Sequence, residues 1–219
     1  MTDDLAETLP PEAELALAWC GSDVREPLRV ALQLDRRLAR IVTRTTEPML
    51  GQMRLAWWRD ALAQPAAERP RGDVVLDGIG LHWAAKEAAL IAMVDGWEIF
   101  VSAQTLCQSE AVDFGMARGA FFAALVPENA ERMAMAGSRW ALADAAAAMS
   151  DGDERAAIIA AGLANIRRTA NTSMPFPKGL RGLAVLDALA QRALERGGRP
   201  LMEGRGASLA AFKAAIFGN

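Results

Sequence analysis

Apolar residues recur along most of the chain at a spacing near 3.6 positions, and no stretch alternates apolar and polar residues as a half-buried strand does. Proline and glycine separate the periodic segments and indicate where helices end. The pattern therefore predicts one all-α domain over residues 1–219, with residues 1–10 as a disordered tail and about nine or ten helices. These helices are predicted at residues 11–20, 23–44, 47–64, 73–81, 82–104, 109–126, 128–149, 154–168, 180–195 and 208–217, with Asp23 and Ser208 as caps.

The segment 47–65 is the most distinctive part of the sequence. Pro48 suits the first turn of a helix, and Pro65 ends that helix near Gln64. At 100° per residue, one broad face collects Leu50, Met53, Trp57, Trp58, Ala61 and Leu62. Arg54 lies within this apolar arc, and a buried guanidinium needs an acceptor because it cannot lose its charge.

Asp35 lies on the apolar face of the preceding helix and is the expected partner of Arg54. Arg54 therefore meets either a ligand phosphate or Asp35 in a buried ion pair that fixes helix register, and we favour the ion pair. Loss of Arg54 alone would then cost about 3–5 kcal/mol. Large aromatic residues on a helix face more often belong to the core, which is the interpretation we favour for Trp57 and Trp58.

Asp144 lies among apolar positions of the predicted helix 128–149. It is either a metal ligand or a hydrogen-bonded core aspartate, and we favour the second because one carboxylate is a poor Mg²⁺ site. Four arginines follow one another on the helix 23–44. They form either a phosphate- or membrane-facing patch or, as we favour, a solvated face: Arg36, Arg37, Arg40 and Arg44.

The composition narrows the classes of function. Hydrophobic residues make up 52% of the chain and the net charge is −3, which indicates a soluble globular protein and argues against nucleic acid as the main partner. The chain has one histidine, His82, and no tyrosine, which removes most Ser–His–Asp, Cys–His and histidine–metal chemistries. Cys20 and Cys107 are expected to be reduced, buried residues of a cytoplasmic protein, with neither a signal peptide nor a membrane span.

One motif resembles a known family. The segment RLAWWRDAL, residues 54–62, resembles the RLxWWRxAL segment of the squalene/phytoene synthase family. Segments 93–97, 115–125, 137–144 and 174–194 are similar in order and spacing to later helices of that family, so the resemblance covers roughly residues 15–217. It implies the isoprenoid (terpenoid) synthase fold, in which a bundle of helices surrounds a central cavity.

The chain departs from the family at its metal motifs. The resemblance places the first D-x-x-x-D motif at Asp35, but Ala39 stands four positions later; the second falls near Asp144, with Ala147 and Ala148 where the family has Arg and Asp. In the family these carboxylates hold the Mg²⁺ ions that bridge two prenyl diphosphates. As the alternative to their ion pair, the resemblance makes Asp35 and Arg54 remnants of that diphosphate site, and Trp57 and Trp58 could then stack against an isoprenoid chain. Mg²⁺ needs several oxygen ligands in octahedral geometry, so the predicted site lacks half of its acids.

An intact RLxWW core with lost aspartates is similar to the branch of the family that contains the mitochondrial complex I assembly factor. This resemblance implies a non-catalytic protein without cofactor that binds an isoprenoid or lipid, or a protein of respiratory-complex assembly. We expect it in the cytoplasm, with peripheral contact to the inner face of the membrane. The alternatives are an active prenyltransferase that condenses two prenyl diphosphates head to head with Mg²⁺, and a helical scaffold with a filled interior.

Overall fold

A computed structural model of the protein describes residues 7–45, 47–103, 105–169 and 175–218. All regular secondary structure in these residues is helical, and loops connect the helices. The prediction of an all-α fold is confirmed over these residues. Three short 3-10 helices accompany the α-helices, at Ala66–Glu68, Pro127–Asn129 and Lys178–Leu180. The α-helices are α1 Pro11–Ala18, α2 Ser22–Arg44, α3 Pro48–Ala63, α4 Val74–His82, α5 Glu87–Ser102, α6 Gln108–Arg118, α7 Phe121–Leu125, α8 Ala130–Ala148, α9 Gly152–Thr169, α10 Arg181–Glu195 and α11 Arg205–Phe217.

The predicted helix 82–104 begins later than expected. His82 closes α4 instead of starting a helix, and the chain turns before α5 begins at Glu87. Ala85 has a positive φ of 65°, which is unfavourable for a residue with a side chain. Trp83 holds this turn in place, since its buried indole donates a hydrogen bond from Nε1 to the carbonyl oxygen of Pro27 at 2.9 Å.

Both predicted helix caps are wrong. Gly21 precedes α2, so Asp23 lies inside the helix; Gly204 precedes α11, so Ser208 lies one turn inside it. Gly204 has φ 78°, a conformation that glycine adopts without steric cost. The predicted helix 109–126 is also divided, because α6 ends at Arg118 and α7 starts at Phe121.

Helix α8 is the centre of the bundle, and α6, α7, α9 and α10 pack around it. Helix α10 also contacts α1 and α11, and ten of its fifteen residues are buried. Helix α2 packs against α4 and α5, while α3 lies outside and packs mainly on α5. The face of each helix that is buried is the face on which its neighbouring helices pack.

Residues 7–10 and Cys107 differ from expectation. Of the predicted tail, the structure describes residues 7–10, and these pack on the bundle: Leu9 is buried, and the carboxylate of Glu7 lies 2.6 Å from Arg37 Nε and 2.5 Å from Arg40 Nη2. Cys20 is buried as predicted, but Cys107 is exposed at the start of α6, and both are free thiols.

Among the described residues, no helix has the length and apolar character needed to cross a membrane.

Close contact between α8 and the end of α6 depends on two glycines. A Cβ atom on Gly137 would lie 2.2 Å from the carbonyl oxygen of Gly119, and a Cβ atom on Gly119 would lie 2.2 Å from the carbonyl carbon of Gly137. Backbone meets backbone at this point, so no flexible side chain can yield. The contact brings Arg118, the residue next to Gly119, close to α8.

We expect Gly137→Ala to lower the free energy of unfolding by at least about 2 kcal/mol, because the added methyl group forces the helices apart. Alanine would otherwise favour the helix by about 1 kcal/mol. Gly152→Ala, at a helical glycine with open space around it, is the control and should be neutral or stabilising. Urea unfolding of both variants measures the difference; equal stabilities would show that α6 and α8 are not in close contact.

Candidate functional site

A buried arginine joins the two aspartates that the sequence singles out. Arg118, at the end of α6, is 0% exposed and approaches both oxygens of Asp35 on α2, with Nε–Oδ1 and Nη2–Oδ2 distances of 2.7 Å. Its Nη2 also lies 2.5 Å from Oδ2 of Asp144 on α8, and its Nη1 donates to the carbonyl oxygen of Ala141 at 3.0 Å. Asp35, Arg118 and Asp144 therefore form one ion cluster between three helices.

Aromatic rings surround this guanidinium. Cζ of Arg118 lies 4.5 Å from the ring centroid of Trp97, 4.7 Å from that of Trp140 and 5.6 Å from that of Phe114. The faces of aromatic rings attract cations, most strongly where water is excluded. Trp97 also donates a hydrogen bond from Nε1 to Asp35 Oδ1 at 2.9 Å. The cluster is thus held by rings and hydrogen bonds as well as by opposite charge.

Arg36 adds a second cation at the surface side of the cluster. Its Nη2 lies 2.9 Å from Asp144 Oδ2 and 3.5 Å from Asp35 Oδ2. Burial alone would lower the pKa of Arg118 and raise that of Asp144. The opposite charges and their hydrogen bonds outweigh burial, so the pKa of Arg118 is raised and that of Asp144 is lowered. The guanidinium groups of Arg36 and Arg118 therefore both face the carboxylates of this cluster.

The predicted Asp35–Arg54 pair is wrong. Arg54 is exposed, and its Nη1 donates to Thr45 Oγ1 at 3.3 Å. The apolar arc of α3 was too wide to identify one buried face. Because α3 packs mainly on α5 and less on α2, it buries Gly51, Leu55, Trp58, Ala61 and Leu62 and turns the rest of the arc outward.

The two tryptophans of α3 consequently have different environments. Trp58 is 4% exposed and belongs to the core, as predicted, whereas Trp57 is 47% exposed and the core prediction for it is wrong. The rings contact each other edge to face, with centroids 5.2 Å apart. Leu50 and Met53 are exposed on the same side as Trp57.

A cleft of about 490 Å³ opens beside the ion cluster, between α2, α5 and α8. Trp97 and Phe100 contribute aromatic surface to it, and Asp144 lies at its edge with a side chain 19% exposed. Ala39 and Ala148, at the positions where the sequence resemblance led us to expect further acids, also line the cleft. The remaining lining residues are Arg36, Arg40, Val42, Thr43, Arg44, Ala145, Met149 and Ser150.

The arginine row of α2 is more than a solvated face. Arg36 contacts Asp144, Arg37 contacts Glu7 and Asp73, and Arg40 contacts Glu7. Arg44 is exposed at the cleft and forms no ion pair with any residue that the structure describes. The cleft therefore combines an apolar and aromatic interior with cations along one wall.

Sequence reasoning missed Arg118 itself. The only signal was that it is the one charged residue in the apolar stretch 114–126. It also missed a second buried pair, in which Arg139 Nε and Nη2 lie 2.7 and 2.8 Å from the carboxylate of Asp187. Asn165 and Thr169 accept hydrogen bonds from Arg139 Nη1 at 2.9 Å, so this pair is satisfied within the protein.

The residues at the cleft do not fit a Mg²⁺ site. Both oxygens of Asp35 are occupied by Arg118 and Trp97, and Asp35 is fully buried. Asp144 is shared by two arginines. Over the described ranges, no group of three or more His, Cys, Asp or Glu side chains is arranged to bind a metal.

No protein-family model matches the chain, and no curated protein or solved structure is significantly similar to it. The relation to the squalene/phytoene synthases therefore stays a prediction from the motif at residues 54–62.

We expect Arg118→Met to destabilise the protein by about 3–5 kcal/mol, because Asp35 would remain buried without its partner. The double variant Arg118→Met with Asp35→Asn should recover part of this loss, since it no longer buries a lone charge. Arg54→Ala is the control and should cost less than about 1 kcal/mol, because Arg54 is exposed. Chemical denaturation of the variants gives these values, and a costlier Arg54→Ala than Arg118→Met would contradict the ion cluster.

We also expect Asp144 to make stability depend on acidity. Its pKa is lowered in the folded protein, so its contribution is complete above the pKa of the unfolded chain, about 4, and is lost as the pH falls through the lower folded value. The free energy of unfolding of Asp144→Asn should therefore change less than that of the parent between about pH 5 and pH 2. Urea unfolding of both proteins at several pH values in this range measures the difference. Glu12, whose pKa is raised by burial and also by the charge of Asp144, acts in the opposite direction, and Asp144→Asn removes part of that opposing contribution.

Proposed function

We propose that this protein is a non-catalytic relative of the squalene/phytoene synthases that acts by binding. Its ligand is an amphiphile with an apolar, isoprenoid-like chain and an anionic head, and the binding site is the cleft between α2, α5 and α8. Respiratory-complex assembly is the role that the sequence resemblance implies. The isoprenoid synthase fold is part of this proposal, and the helical architecture is compatible with it.

The Asp35–Arg118–Asp144 cluster is the observation on which the proposal rests. Diphosphate departure in the related enzymes requires metal-bound carboxylates that neutralise the developing charge. Here a guanidinium of the chain itself takes both carboxylates, with distances of 2.5 to 2.7 Å. A metal ion would have to displace Arg118, which is fully buried between Trp97 and Trp140.

The lining of the cleft supports an amphiphilic ligand. Its volume of about 490 Å³ lies in the range of small-molecule sites, which are mostly apolar with a few polar groups that orient the ligand. Trp97, Phe100 and Met149 offer surface for a hydrocarbon chain, while Arg44 offers charge to the head. Because Asp144 is already compensated by Arg36 and Arg118, it does not repel an anion strongly.

We expect farnesyl diphosphate to bind with nearly the same affinity in EDTA and in Mg²⁺, as measured by isothermal titration calorimetry. Ala148→Trp, which fills the cleft, should weaken binding by at least about tenfold. Ala63→Trp places the same side chain on an exposed position of α3 and should have no effect. Arg44→Gln should weaken farnesyl diphosphate more than farnesol, and Arg167→Gln, at an exposed arginine of α9, is its control.

Farnesyl diphosphate and Mg²⁺ also distinguish an active prenyltransferase from the proposed binding protein. Steady pyrophosphate release from farnesyl diphosphate in Mg²⁺, lost in Asp144→Asn, would establish catalysis and overturn the proposal. Absence of binding in any condition, or equal binding by Ala148→Trp and the parent, would leave the scaffold alternative in its place.

A further inference from the structure

The large apolar side chains of α11 point toward solvent, whereas a helix of a globular bundle usually turns such side chains toward the core. The residues that face α10 are all alanine: Ala207, Ala211, Ala214 and Ala215. The outward face instead bears four large hydrophobic residues, Leu209, Phe212, Ile216 and Phe217, which are 43–70% exposed. Monomeric proteins rarely expose such contiguous apolar surface without a partner. This outward stripe of α11 is called the α11 stripe below.

Basic residues surround the α11 stripe. Arg205 and Lys213 are exposed on the helix itself, whose sequence from 205 to 217 contains no acidic residue. Arg192 lies against Gly206 near the beginning of the helix, and Arg181 lies against Gly218 at its end. The chain as a whole has a net charge of −3, so the positive charge of the exposed Arg205 and Lys213 is a local feature.

We propose that the α11 stripe is a docking surface for an anionic lipid bilayer. Basic residues around an outward apolar helix face are the pattern of helices that lie in the plane of a membrane interface. The 13 residues of α11 span only about 20 Å, so the helix is too short to cross a bilayer and would lie along its surface. Leu209, Phe212 and Ile216 enter the boundary between headgroups and acyl chains, while Arg205 and Lys213 contact lipid phosphates.

A second copy of the chain fits the α11 stripe less well. A two-fold dimer through this surface would pair the patch with itself. Each helix would then present Arg205 and Lys213 to a partner helix that also lacks carboxylates, and like charges facing each other oppose association. An anionic bilayer has no such conflict.

The exposed apolar side of α3 lacks this charge pattern. Met49, Leu50, Met53 and Trp57 are exposed there, but the same helix and its cap carry exposed acids, Glu47 and Asp60, beside Arg54. Acidic residues are repelled by anionic lipid. The inference is therefore confined to α11, and it does not depend on the cleft between α2, α5 and α8.

The test is flotation of the full chain with two kinds of vesicle, phosphatidylcholine alone and phosphatidylcholine mixed with phosphatidylglycerol. We expect binding to the mixed vesicles only, and weaker binding as salt is raised. Leu209→Gln should reduce the partition coefficient by about tenfold, and Lys213→Gln by about fivefold. Leu81→Gln is the matched control, since Leu81 on α4 is 76% exposed and Leu209 is 70% exposed.

Circular dichroism shows whether each variant keeps its helices, and the salt dependence of the unaltered protein provides a readout that needs no variant. The proposal is overturned if the protein does not float with anionic vesicles, or if Leu209→Gln and Leu81→Gln bind equally. A dimer in analytical ultracentrifugation that Leu209→Gln abolishes, without vesicle binding by the parent, would assign the α11 stripe to a second copy instead.

Discussion

The side chain of Arg118 determines how three helices meet. It reaches Asp35, 83 residues earlier in the chain, and Asp144, 26 residues later, so it links α6 to both α2 and α8. A buried charge of either sign is costly without its partner. The positions of the three helices therefore depend on one another. Displacing any one helix would leave a carboxylate or a guanidinium in an aromatic environment. The glycine contact between Gly119 and Gly137 places Arg118 at the correct distance, because it lets the end of α6 approach the backbone of α8.

The same interaction limits what the neighbouring cleft can bind. A divalent ion and an arginine compete for the same oxygen atoms, but the arginine is covalently part of the chain and its effective concentration does not fall when metal is scarce. Two guanidinium and two carboxylate groups already balance one another there. What remains available to a ligand is the cationic wall of α2 and the aromatic surface of α5. The Asp35–Arg118–Asp144 cluster therefore both stabilises the packing of the helices and determines which groups the cleft offers to a ligand.

The sequence predicted the helices well because their periodicity and their prolines are local properties. It also selected Asp35, Trp58 and Asp144 correctly as buried or partly buried residues. It failed on pairing, since the chain has 24 lysines and arginines and spacing does not reveal which one a buried aspartate meets. Arg54 was chosen because α3 follows α2, but α3 packs mainly on α5. The wide apolar arc of α3 could not show which side of this helix packs on α5.

Alanine explains why hydrophobic patterning misleads in parts of this chain. The inner face of α11 consists of alanine, and α8 meets the end of α6 through Gly137, so the distance between helices is short at both places. The large apolar residues of α11 can then lie outside without loss of the helix. An outward leucine or phenylalanine in such a helix contributes little to the fold by burial. Four such residues on one face of α11 are therefore better explained by a surface that covers them from outside than by packing within the domain.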